Sequence, residues 1–251
     1  MIHILYRHTE HLSGVGKTRP SWFSFANCLS NILNTIKDRK DVRFHLIYDG
    51  KWTTSDPRIH KVVEFTGGSD KASFLFTWDY AKAITLRDND LVYFCENDYL
   101  HVDGWVDKVL EAFDTLVIDG YVALYDHGDK YTLPMYSDLQ SKVYVTKSSH
   151  WRTVPSTCGS FVVNKQTLMA DHDVHTSFYS DHEKFLSLGK TRNRIILSPI
   201  PSLSTHCEVE WLAPVVDWRS VNSSPDRRSA AENPLRWQWR NPFRDPKRQM
   251  R

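Results

Sequence analysis

The chain has 251 residues, 41% hydrophobic and 25% charged, which allows one large or two small globular domains with a sizeable core. A net charge of +2 excludes a whole-molecule attraction to nucleic acid, so no specific nucleic-acid partner is expected. No apolar run is long enough to span a bilayer, and the start, Met1-Ile2-His3-Ile4-Leu5-Tyr6, lacks the basic flank and long apolar stretch of a secretion signal.

The four cysteines, Cys28, Cys95, Cys158 and Cys207, are widely spread and form no C-x-x-C pair. Cys28 and Cys95 sit inside apolar patterns, where a free thiol acts as a small hydrophobe. A reduced, cytoplasmic setting is expected rather than a disulfide framework. The aromatic content is 13%, with 9 Trp. That suits a surface that stacks on sugars or bases, and equally a well-filled core.

The first half alternates strand and helix patterns. Residues 2–6 read as a strand, and residues 21–37 carry apolar side chains at helical spacing (Trp22, Phe25, Ala26, Leu29, Ile32, Leu33, Ile36). Residues 42–48 form a second strand ending at Asp49-Gly50, and residues 61–65 a third, followed by Gly67-Gly68. Ser69 or Asp70 caps a helix that runs to about residue 87. Residues 91–95 are a fourth strand and residues 104–113 a helix. This order predicts an α/β fold with a mostly parallel sheet flanked by helices. Ligands of such sheets bind beyond the carboxyl ends of the strands. Arg7, Asp49, Gly67 and Glu96-Asn97-Asp98 all fall just after strands and are expected to converge there.

The second half is less regular. Residues 121–125, 142–146, 160–163 and 194–197 read as strands, and residues 178–188 as a short helix; no internal repeat is visible. From about Asp217 apolar aliphatics nearly vanish while Arg, Pro and Trp accumulate. Residues 217–251 hold nine Lys/Arg and four Asp/Glu, a surplus of five, which leaves about −3 on the rest of the chain. This extension reads either as a loosely ordered tail held to the domain by its aromatics or as an arm for a partner, a membrane surface or a phosphate.

The strongest chemical signal is Leu91-Val92-Tyr93-Phe94-Cys95 running into Glu96-Asn97-Asp98. A buried strand that delivers two acids to its exposed end can hold Mg²⁺ or Mn²⁺ between protein and a diphosphate. Asp98 is the expected direct ligand, with Glu96 on the ribose or on a metal-bound water. An acid-x-acid triplet in an isolated loop would be ordinary turn chemistry. Thr205-His206 offers an imidazole that suits Mn²⁺, although any of the 12 His can be a structural hydrogen-bonder. Asp181-His182-Glu183 opens a helix. Acids there are favoured by the dipole alone, and a general base for an acceptor hydroxyl is the functional alternative.

Gly14-Val15-Gly16-Lys17-Thr18 resembles a phosphate loop, but the pattern needs glycine where His11 stands, and Arg19-Pro20 interrupts the helix start. What is retained is a loop that can bring Lys17 or Arg19 near phosphates. The stretch 148–157, with Ser148, Ser149, Trp151, Arg152, Thr153, Ser156 and Thr157, is dense in donors, as a sugar or phosphate cleft is, or as a polar connection between two strands is.

An acidic triplet after a strand, a Gly-Ser segment on a later strand, an acid pair opening a helix and a late His follow the order seen in glycosyltransferases of the GT-A fold, a Rossmann-like α/β architecture. The chain most resembles small phage- and alga-type glycosyltransferase-like proteins. The likeness is carried by Glu96-Asn97-Asp98-Tyr99-Leu100-His101, Leu124-Tyr125-Asp126-His127, Lys147-Ser148-Ser149-His150-Trp151-Arg152 and Ser198-Pro199-Ile200-Pro201-Ser202-Leu203-Ser204-Thr205-His206. It covers residues 1–218 as one domain and leaves the basic extension, 219–251, outside. The resemblance implies a nucleoside-diphosphate sugar, UDP- or GDP-linked, as donor and a glycan, protein or small-molecule acceptor. It implies Mn²⁺ or Mg²⁺ held by Asp98 and His206. By position it implies Asp181 as the base, with Glu183 the second choice, and Arg7, Asp49, Ser73, Glu96, Asn97 and Arg152 around the nucleotide. Many relatives carry an acid where Asn97 stands, so metal affinity or preference is expected to differ. A phage-type protein would work in the host cytoplasm. A non-catalytic sugar- or nucleotide-binding protein and a metal-dependent nucleotidyltransferase or phosphohydrolase are the alternatives from other classes.

Overall fold

The computed structural model describes residues 1–9, 16–116, 119–178 and 180–223. The basic extension beyond Ser223 therefore lies outside the described residues. The elements are, in order, β1 (Ile2–His8), α1 (Phe25–Thr35), β2 (Val42–Asp49), β3 (Lys61–Phe65), α2 (Asp70–Ala83), β4 (Leu91–Glu96), β5 (Tyr99–His101), α3 (Trp105–Leu116), β6 (Gly120–Val122) and α4 (Asp129–Thr132). They continue with β7 (Val143–Val145), β8 (His150–Thr153), β9 (Phe161–Asn164), α5 (Lys165–Ala170), α6 (His172–Ser177), α7 (Asp181–Arg192), β10 (Ile195–Ile200), β11 (Ser204–His206) and α8 (Trp218–Ser223).

Nine strands form one sheet in the order β3-β2-β1-β4-β9-β6-β10-β8-β7, and β11 pairs with β5 in a separate ribbon. The half β3-β2-β1-β4 is parallel throughout. β9 runs antiparallel between β4 and β6, β10 is again parallel to β6, and β8 runs antiparallel to both β10 and β7. The sheet is thus mixed and mostly parallel, with only β9 and β8 reversed among the described strands. Helices cover both faces, which gives a single, Rossmann-like α/β domain.

The continuous apolar runs of β1 and β4 are explained by burial on both sides. Ile4, Tyr6 and Tyr93 face Leu29, Ile32, Trp105 and Val109 of α1 and α3. Leu5, Val92 and Phe94 face Trp78 of α2 and Phe185 and Leu188 of α7. Each fully buried side chain of this size contributes about 1.5–3 kcal/mol.

Helix starts follow the caps. Ser24 accepts from Asn27 N and starts α1 later than the apolar period suggests, leaving Trp22 and Phe23 to pack with Tyr99, Cys207 and Trp218. Ser69 accepts from Ala72 N at the start of α2. Gly120 is required where β6 meets β10, because a Cβ would lie 2.0 Å from the Ile195 carbonyl oxygen. α8 spans the 218/219 boundary. Trp218 is 3% exposed, and its indole donates to the Ala213 carbonyl at 2.8 Å.

Two expectations change. The polar stretch 148–157 contains β8, a strand paired on both sides, rather than a plain connection. β5, β11 and the short helices α5 and α6 were not expected at all. No helix among the described residues is long and apolar enough to cross a membrane.

Candidate functional site

The ribbon of β5 and β11 is what brings the late histidine to the acidic triplet. His206 is in register with Tyr99, and Cys207 N donates to the Asp98 carbonyl at 2.8 Å. The side chains follow, with His206 Nε2 2.8 Å from Asp98 Oδ2. Glu208 Oε2 lies 3.4 Å from His206 Nδ1 on the other side of the ring. With a proton on Nε2 the ring donates to Asp98 Oδ2, and which ring nitrogen carries the proton follows the tautomer.

Further positive charge comes from the β1–α1 connection. Arg19 Nη2 donates to Asp98 Oδ2 at 2.8 Å, and its Nη1 donates to the Cys207 carbonyl at 2.8 Å. Lys17 Nζ lies 3.3 Å from His206 Nε2 and 3.7 Å from Asp98 Oδ2. Burial pushes the Asp98 carboxyl up, but His206, Lys17 and Arg19 more than offset this and hold it well below the usual carboxylate range. Asp98 Oδ1 is buried and has no hydrogen-bond partner. Among the described residues no group of three or more His, Cys, Asp or Glu side chains is arranged to hold a metal ion; the unpaired Asp98 oxygen and the neighbouring imidazole could supply at most two ligands, with the remaining positions left to phosphate oxygens.

A second row lies one strand over. Arg7 of β1 is directly across from Glu96 of β4 in the sheet register. Its Nη2 donates to Glu96 Oε1 at 3.0 Å and its Nη1 to Asp70 Oδ1 at 2.8 Å. Ser160 accepts from Glu96 N at 3.0 Å and donates to Glu96 Oε2 at 3.3 Å. Gly159 packs against the pair; a Cβ there would lie 3.0 Å from Arg7 Nη2 and 3.2 Å from Glu96 Oε1. Burial pushes Glu96 up to about 7, against the pull of Arg7 and with the help of the negative charges of Asp98, Asp70 and Asp181.

Arg7 also opens onto a cavity of about 110 Å³ lined by Asp70, Phe74, His175, Asp181 and Lys184, among others. Lys184 Nζ donates to Asp181 Oδ1 at 3.0 Å and sits 4.1 Å from the Phe74 ring centre. Arg7 Nε and His175 Nδ1 are buried without partners. His175 is held neutral, its pKa pushed down to about 3 by burial and by Lys184. A larger groove of about 1010 Å³ opens at the opposite edge, by Asp88, Leu91 and Asn164. Its Arg194 is already bound to Asp171, and Arg194 also pairs with Asp119.

The fold therefore assembles Asp98, His206, Glu96 and Arg7 at one edge, and puts Asp181 in the cavity that Arg7 lines. The other expected residues are placed differently. Asn97 holds the end of β1, its amide donating to the Thr9 carbonyl at 3.1 Å and contacting His8 Nδ1 at 3.3 Å. Asp49 accepts from the backbone N–H groups of Gly67 and Gly68 at 3.0 and 2.8 Å. Ser73 lies within α2, where its N–H donates to the Ser69 carbonyl and its carbonyl accepts from Thr77 Oγ1. Arg152 is buried against Asp126, Nη2 to Oδ1 2.7 Å, under the Tyr131 ring. Glu183 is exposed.

Asp70, Gly159, Ser160, Lys184 and Glu208 were not singled out from the sequence as contributors to the site. Gly159-Ser160 was visible as a Gly-Ser segment, and Lys184 three residues after Asp181 is an ordinary helical pair spacing. No local signal marks Asp70 or Glu208.

No family model matches the chain, and no curated protein matches it in sequence. Among solved structures, it is similar to S. aureus TarS 1–349, with 9% identity and a TM-score of 0.47. That match covers 78% of this chain and 57% of the other, so the chain spans little more than half of that structure's length.

Proposed function

We propose that this protein transfers a sugar from a nucleoside-diphosphate sugar, UDP- or GDP-linked, to an acceptor hydroxyl of a glycan, protein or small molecule. The observation that carries the reading is the Asp98–His206 pair at the carboxyl edge of the sheet, with an unpaired buried oxygen on Asp98. It stands beside the Arg7–Glu96 row, and Arg7 lines the cavity that contains Asp181. Mn²⁺ or Mg²⁺ would be held by Asp98 and His206 and would supply charge neutralisation for a departing diphosphate.

The chain's own groups do the rest. Lys17 and Arg19 add two positive charges next to Asp98 and favour the developing charge on the leaving group. Arg7, fixed by Asp70 and Glu96, puts a positive charge on the wall of the cavity that contains Asp181. Lys184 orients the Asp181 carboxylate. In an inverting reaction the acceptor oxygen bonds to the anomeric carbon as the carbon–oxygen bond to the diphosphate breaks. The bonding electrons leave with the diphosphate, and Asp181 takes the acceptor proton. The four cysteines are free, and Cys28 Sγ and Cys207 Sγ stay 3.9 Å apart, which suits work in a reducing cytoplasm.

Incubation with a panel of UDP- and GDP-sugars and Mn²⁺ tests the reading. Release of the nucleoside diphosphate is expected from at least one donor. Release of a nucleoside monophosphate or inorganic phosphate would instead indicate a nucleotidyltransferase or phosphohydrolase. Silence across donors and metals would indicate a binding protein.

A further inference from the structure

The position between Asp98 and His206 is not empty of positive charge. The Lys17 ammonium reaches both residues, at 3.7 Å from Asp98 Oδ2 and 3.3 Å from His206 Nε2. Its neighbours in sequence explain how it does so. Thr18 is tied down, its carbonyl accepting from Val209 N at 2.8 Å. Arg19 is tied down as well, by Asp98, the Cys207 carbonyl and the Phe23 ring 4.7 Å from its guanidinium carbon. Gly16 before it has φ of +106°, and among the described residues nothing lies within 4 Å of a Cβ built there. Among the described residues Lys17 is thus a 40% exposed cation hung over the pair, next to an Arg19 side chain that is only 19% exposed and anchored.

We infer that Lys17 is an exchangeable counter-charge, holding the Asp98–His206 pair in the ligand-free chain and passing to the diphosphate when a divalent cation takes its place. This rests on the metal reading of that pair given above. A divalent ion on His206 Nε2 and the unpaired Asp98 Oδ1 would take the place of the Lys17 ammonium, which stands 3.3 Å from that nitrogen, whereas Arg19 is held on Oδ2 and the Cys207 carbonyl. A diphosphate brought to the same edge removes the conflict, because it offers the displaced ammonium several anionic oxygens. Cation and nucleoside diphosphate then bind with positive coupling, and by linkage each raises the other's affinity by the same factor. The free chain itself holds the cation weakly.

The test is titration of Mn²⁺ into the full chain, read by electron paramagnetic resonance of free Mn²⁺, with no nucleotide and then with UDP or GDP. Lys17→Met is compared with wild type, and Lys17→Gln serves as a second variant in case the apolar side chain perturbs folding; circular dichroism confirms the fold of both. The expected result is that removing the ammonium tightens Mn²⁺ binding to the nucleotide-free chain by about tenfold and shrinks the nucleotide-induced enhancement by a comparable factor. Unchanged or weaker Mn²⁺ binding in both variants overturns the inference. Asp98→Asn separates the two levels. If it abolishes Mn²⁺ binding while the Lys17 variants behave as wild type, the metal site stands and the exchange is wrong. If it leaves Mn²⁺ binding intact, the metal reading and the exchange fall together.

Discussion

Asp98 and His206 stand 108 positions apart in the chain and 2.8 Å apart in the fold. A three-residue ribbon, β5 against β11, holds them there through backbone pairing that continues to Cys207. The pair is therefore positioned by main-chain hydrogen bonds, with side-chain pairing added on top. A substitution of either side chain should remove chemistry with limited loss of fold.

Asp98→Asn keeps the shape and removes the charge. Calorimetric titration of UDP or GDP with Mn²⁺ should show at least about a tenfold loss of affinity, of the order seen when metal-site partners are removed. The amide of Asn97 cannot substitute, because it is committed to His8 and Thr9. Unchanged affinity would exclude Asp98 from the site.

Glu96 gives a pH signature. Its folded pKa of about 7 lies above its ordinary value of 4.5. The folded chain thus binds more protons than the unfolded chain between those values. Stability from this group is full below the ordinary value and is lost as pH rises through about 7. With the side chain 26% exposed, the loss is on the order of 2 kcal/mol. Glu96→Gln does not titrate, so its urea midpoint should gain on wild type between about pH 5 and pH 8. A constant difference between the two proteins would show that Glu96 titrates normally.

Gly159→Ala tests the close packing behind the Arg7–Glu96 pair. The added methyl would meet Arg7 Nη2 at 3.0 Å and the Glu96 carboxyl carbon at 3.1 Å, and both side chains are pinned. A cost of about 1–3 kcal/mol in denaturant stability is expected, together with weaker nucleoside-diphosphate binding. Wild-type stability and binding would mean that the pair can shift freely.

Asp181→Asn should leave nucleotide binding intact and lower sugar transfer by about 10²–10⁴-fold, the usual contribution of a positioned base. Lys184→Met should lower transfer less, since Lys184 only orients the Asp181 carboxylate from 3.0 Å away. Near-normal turnover of Asp181→Asn would remove Asp181 from the role of base.

The parallel half of the sheet was legible because its strands are buried on both faces and read as apolar runs, as in Leu91-Val92-Tyr93-Phe94-Cys95. Those strand ends also marked Arg7 and Glu96, which the register places side by side. β5, β8 and β11 were not legible. They are three or four residues long and rich in His, Ser, Thr and Arg, and only distant partners make them strands. The same non-locality decides individual residues. Arg152 looked available, yet Asp126, 26 positions earlier, holds it. Asn97 looked like a lost acid, yet its amide ties the end of β1 to the turn after β4.

The most direct measurement is diffraction from a crystal of the protein soaked with UDP or GDP and Mn²⁺, recorded for anomalous signal. A manganese peak touching Asp98 and His206 is expected, with the diphosphate oxygens on its remaining sides and the Lys17 ammonium moved onto them. A diphosphate bound elsewhere, or a manganese peak away from both residues, would contradict it.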